Sequence, residues 1–218
     1  MKITDKIVTV LLSAMTIPVA IFAPLVHILY RITAWQLIEQ FAGSTNSADT
    51  GLTEDAFSVK WMLEKILNGD FSLGGIDTSK FTDSFKAIYP FLIAAGVLFA
   101  LAAVTGVVLF VTAVVSHAKK TQCIISAVGI AELAAAGILF SKFASPIVSG
   151  TVSVGSIIES VFGESFSTLS SIMTSSVIEV QQLNLTTAWS VMMILFFAVI
   201  IWNVSFMVTS VDKRRIDT

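Results

Sequence analysis

Charge, cysteine and histidine are all scarce in this chain. Of its 218 residues, 13% are Asp, Glu, Lys or Arg, about half the ~25% of an ordinary soluble domain. Aqueous folding would leave far too much apolar surface to hide. There is one cysteine, Cys123, which excludes an internal disulfide. It lies where an apolar stretch begins and reads as a small packing side chain. The net charge is -2 and no basic run exists, so the phosphate-binding stripe of a nucleic-acid partner is missing. No GxxxxGK[ST] loop, HExxH helix or GxSxG elbow occurs. The two histidines, His27 and His117, fall near opposite ends of the predicted spans and form no shared site. These absences argue against catalysis, and no cofactor is expected.

What remains is apolar: 55% of residues are hydrophobic and the mean hydropathy is +0.87. A bilayer core of ~30 Å needs about 20 apolar residues in a helix. Four stretches qualify, at about 7–30, 90–115, 123–143 and 187–209. The spacing therefore predicts an all-α integral membrane protein, a single domain over 1–218. Its fold is a four-transmembrane-helix bundle with a small helical extracytoplasmic cap from two loops, about 33–88 and 144–186. Lys2 and Lys6 before the first stretch resemble a signal-peptide start. The run is too long for one and continues past Ala20 and Ala23, so a retained span is expected. Pro18 and Pro24 inside it are expected to be tolerated.

Within the loops, Ile32, Trp35, Ile38 and Phe41 predict a helical extension of the first span. A capped amphipathic helix is expected over about Glu54–Leu67, with Thr53 as its N-cap. A second is expected from Phe166 to about Val180, where apolar residues recur at three and four. Trp35, Trp61, Trp189 and Trp202 suit the headgroup level as interface anchors.

The short link Ser116–Gln122 makes the second and third spans antiparallel neighbours. Gly96 and Ala100, Ala102 and Gly106, and Ala127, Ala131 and Ala135 stand four apart. Small residues at that spacing let backbones approach closely in lipid, so these positions are the expected helix-packing ridges of the hairpin. Glu132 is the one acidic residue inside a long apolar stretch. A charge there costs from ~2.5 to above 10 kcal/mol, and the usual escapes are protonation, a partner or a water-filled path. By depth its expected partners are Thr105 and Asn203, a candidate intramembrane polar site.

Lys2, Lys6, Lys119, Lys120, Lys213, Arg214 and Arg215 all cluster at span ends on the side of the termini. The positive-inside rule then puts both termini in the cytoplasm. Lack of disulfides and short basic tails suit a bacterial inner (plasma) membrane. The layout is similar to that of the claudin-type tetraspan proteins in topology. Those carry a Gly-Leu-Trp and two cysteines in the first external loop, which has neither here, and no family follows. The expected function is a non-enzymatic multi-pass membrane protein acting by self-association or assembly with other membrane subunits, with the lipid bilayer as its medium. The alternative is a channel or transporter component passing protons or cations by way of Glu132.

Overall fold

A computed structural model describes residues 2–32, 52–60, 83–116, 118–152 and 178–216. The chain is mostly helical. In order, the elements are α1 (Lys2–Phe22), β1 (Pro24–Ile32), β2 (Leu52–Ser58), α2 (Asp83–Val115), α3 (Lys119–Val148), β3 (Ile178–Leu185) and α4 (Thr187–Ile216). Three helices, α2, α3 and α4 over Thr187–Val208, are long and apolar enough to cross a membrane. The apolar part of α1, Lys6–Phe22, is shorter.

The expected first span, 7–30, is corrected at its C-terminal end. Its helix stops at Phe22, and Pro24–Ile32 is a strand. Pro18 stays inside the helix, but Pro24 ends it. Proline offers no N–H to continue the ladder and pushes the residue before it, Ala23, out of the helical region. Strand-starting proline is well tolerated, and Val26, Ile28, Tyr30 and Ile32 then favour extended backbone.

The segments expected to form a helical cap contribute a three-stranded sheet, in the order β2-β1-β3. Glu54 to Ser58, predicted as the start of an amphipathic helix, is strand. Its capping residues are a weak local signal beside a ladder with β1. The rest of that expected helix, from Trp61 on, lies outside the described residues, as does Trp35. Ile178–Val180, the end of the second expected helix, is also strand, while 166–177 lies outside the described residues. β3 runs antiparallel to β1, pairing His27 with Asn184 and Leu29 with Gln182. The register then shifts so that Tyr30 faces Val180. Gln181 is the extra residue of this bulge. It lets Val180 and Leu183, three apart, both be buried, where an unbroken two-residue alternation would turn one outward.

The chain divides into two compact units. One comprises Met1–Leu25, Ala94–Ile138 and Thr186–Thr218; the other comprises Val26–Ile93 and Leu139–Leu185. The second unit buries Phe85, Ile88, Phe140, Phe143, Ile147, Val152, Val180 and Leu183. In it α3 ends at Val148, and Gly150 takes φ 75°. The turn returns the Val152 N–H to the Pro146 carbonyl at 3.0 Å, satisfying an end group the helix leaves open.

The first unit is built in layers. Its buried positions recur at alternating spacings of four and three on every helix. Thr9, Ala113, Gln122 and Asn203 make the first layer. Ser13, Leu109, Ser126 and Val199 follow, then Thr16, Gly106, Gly129 and Phe196, then Ala20, Ala102, Leu133 and Met192. All sixteen are buried. Spacings of four and three make the seven-residue repeat expected of helices that pack knobs-into-holes. Direct contacts anchor the first and third layers. Thr9, Asn203 and Gln122 are hydrogen-bonded in the first. In the third, Gly106 lies against Thr16 and Gly129 against the Phe196 ring.

Candidate functional site: a polar seam and a mid-helix carboxylate

Glu132 sits near the middle of the 30-residue α3, one position before the buried Leu133. That offset turns it to the flank of the layered core, and it is half-buried. Thr105, one position before Gly106 on α2, is half-buried too. Its hydroxyl donates to Glu132 Oε2 at 2.8 Å. The pair thus bridges α2 and α3. Its nearest outward neighbours along the helices, Val104, Val128 and Ala131, are exposed on the single chain.

Asn203, the other partner expected for Glu132, belongs to a different cluster. It is fully buried in the first layer. Its Nδ2 donates to Gln122 Oε1 at 3.1 Å, and its Oδ1 accepts a long 3.4 Å bond from the Thr9 hydroxyl. Gln122 Nε2 donates on to the Ser116 carbonyl at 3.2 Å. Lys119 Nζ donates to Thr9 Oγ1 at 3.4 Å and stands 5.5 Å from the centre of the Phe206 ring. A continuous chain of donors and acceptors therefore crosses the end of the unit where α2 passes to α3.

Below it the seam continues as hydroxyls. Ser13 Oγ donates to the Thr9 carbonyl at 2.8 Å, and Thr16 Oγ1 to the Ser13 carbonyl at 2.6 Å. Ser126 is fully buried and its hydroxyl has no hydrogen-bond partner. Thr9, Ser13, Thr16, Gln122 and Ser126 were not expected as site residues. The signal that marks them is their spacing: polar residues at four and three inside apolar runs fall on one buried stripe.

The small-residue ridges divide. Ala102 and Gly106 are buried, and Gly106 lies against Thr16 of α1. Gly96, Ala100, Ala127 and Ala131 are exposed, and Ala135 is half-buried. A Cβ at Gly96 would meet nothing within 4 Å. The ridge of α3 that faces its neighbours is Gly129 and Gly137, one face round from the alanines. A Cβ on Gly137 would come 3.2 Å from Trp189 Cζ2. Trp189, expected as an interface anchor, is half-buried, and its Nε1 donates to the Leu133 carbonyl at 2.9 Å. Trp202 is exposed. Among the described residues no group of three or more His, Cys, Asp or Glu side chains is placed to hold a metal ion.

No protein-family model matches the chain, and no curated protein or solved structure matches it either.

Proposed function

We propose that the chain is a four-span membrane protein that works by assembly, with copies of itself or with other membrane subunits, and not by catalysis. α1 serves as the first span, both termini lie in the cytoplasm, and the membrane is a bacterial inner membrane. Basic residues at the ends of the helices support that orientation. The observation that carries the assembly reading is the setting of Glu132. It is half-buried on the α2–α3 flank, with exposed Val104, Val128 and Ala131 beside it. Thr105 occupies one carboxyl oxygen. An ionised carboxylate left facing hydrocarbon costs at least ~2.5 kcal/mol, and a neighbouring helix laid on this flank shields the group, charged or protonated, from lipid. The exposed Ala127, Ala131, Ala100 and Gly96 let such a helix come close.

The test is the protein mass of the complex extracted in mild detergent. Assembly predicts more than the 23.4 kDa of one chain. An integral multiple means self-association, and any other mass means a second subunit. A monomer whose Ala131→Cys variant crosslinks to nothing in cells defeats the reading.

A second reading, a path for protons by way of Glu132, is favoured by the buried polar seam. That seam ends at Thr16, against Gly106 and next in sequence to the Thr105 that holds Glu132.

A further inference from the structure

The six polar side chains found buried among the described residues are Thr9, Ser13, Thr16, Gln122, Ser126 and Asn203. All six fall in three consecutive layers of the first unit. The fourth layer is wholly apolar. Polar groups that merely hold helices together occur as satisfied pairs. The first layer fits that pattern, with Lys119, Thr9, Asn203 and Gln122 joined in sequence. The second does not. Ser13 takes a carbonyl of its own helix four residues back. Ser126 has the same option and does not use it, although no part of it reaches the surface. A hydroxyl left unpaired in an apolar interior costs about 1–3 kcal/mol, and alanine at this position would avoid that cost. The penalty disappears when water reaches the site, because a buried water needs two to four polar partners. Hydroxyls from the first three layers supply them.

We propose that these three layers form a water-accessible seam. It opens at the end of the unit where Ser116 and Lys119 lie, and it is closed at the third layer by Phe196 seated on Gly129. Its cargo is water and the protons water carries. Metal cations are excluded, since the seam holds no carboxylate and the Lys119 ammonium guards its mouth. Its inner end brings solution protons to mid-bundle, one residue along α2 from the threonine that holds Glu132. The inference deepens the proton-path reading and does not depend on assembly.

Hydroxyl-radical labelling of the full-length protein in lipid nanodiscs tests it, because radicals form only where water is present. In a Cys123→Ala background, Ser126→Cys and Ser13→Cys are each compared with Ala102→Cys in the apolar fourth layer. The seam predicts oxidation of both at least tenfold faster than at position 102. It also predicts that adding Ser126→Leu lowers the rate at Thr16→Cys to the position-102 value, because the plug lies between it and the mouth. Helical circular dichroism and an unchanged complex mass certify each variant, and Ser13→Cys serves if Ser126→Cys does not fold. Equal rates at 126, 13 and 102 overturn the seam, as does a plug that leaves position 16 labelled. Glu132→Gln separates the two ideas. It leaves labelling unchanged if the seam exists, while proton flux into liposomes lost with this variant speaks to the proton path alone.

Discussion

Gly129 and Gly96 lie on similar long apolar helices, yet alanine at each has an opposite expected effect. At Gly129 the added methyl would stand 2.7 Å from two carbons of the Phe196 ring and 3.0 Å from a third. The ring is fully buried in its layer, so it cannot swing into open space. Overpacking of this kind costs about 1–3 kcal/mol. Replacing glycine by alanine in a helix returns up to ~1 kcal/mol, so the net loss for Gly129→Ala falls within about 0–3 kcal/mol. At Gly96 nothing lies within 4 Å of the new methyl. That substitution is neutral or gains up to ~1 kcal/mol. Reversible unfolding in mixed micelles, titrated with a denaturing detergent and followed by tryptophan fluorescence, gives both values. Phe196→Leu completes a cycle: with the ring shortened, Gly129→Ala should approach the Gly96→Ala value, a coupling of about 1–2 kcal/mol. Two alanine variants of equal stability, or a cycle that closes within ~0.3 kcal/mol, would refute the layered packing of α3 on α4.

The first-layer network predicts that Asn203→Leu destabilises by about 1–3 kcal/mol, since it strips partners from Thr9 and Gln122. Ser126→Ala removes a hydroxyl with no protein partner; with water pairing it in the seam the variant stays within ~0.5 kcal/mol of the parent in the same unfolding assay, whereas in a dry site it would gain about 1–3 kcal/mol. At the end of α3, Gly150→Ala meets no steric neighbour but must hold φ at 75°, which costs about 1–2 kcal/mol. Gly150→Asn recovers part of that loss, and thermal melting of the two variants ranks them.

The long helices were legible because twenty apolar residues in a row have few alternatives. Thr105 could be named as the partner of Glu132 from depth alone, because a short link fixes which levels of α2 and α3 face each other. The end of α1 was harder. Pro18 and Pro24 look alike in sequence, but Pro18 is accommodated inside a packed helix while Pro24 has strand partners waiting beyond it. Pairings between segments about 150 residues apart leave no local trace, so β1 and β3 were hidden. The alanine ridge misled for a different reason. In an alanine-rich span every face carries small residues. The discriminating feature is which of them opposes a large ring, as Gly129 opposes Phe196. Asn203 was noticed as polar but assigned to the wrong cluster, because its true neighbours, Thr9 and Gln122, stand near the ends of their stretches and drew no attention.

The ladder between β1 and β3 has a bearing on how the molecule is made. Pro24 and Thr186, whose hydroxyl donates to the Pro24 carbonyl, are 162 positions apart. At about 5–20 residues per second of synthesis, the amino-terminal strand waits roughly 8–30 s for its last neighbour. The α2–α3 hairpin emerges long before that and can settle first. The edge of β1 that pairs with β3 therefore stands as an unpaired backbone rim until the β3 segment has been made, open to passing chains or to a chaperone.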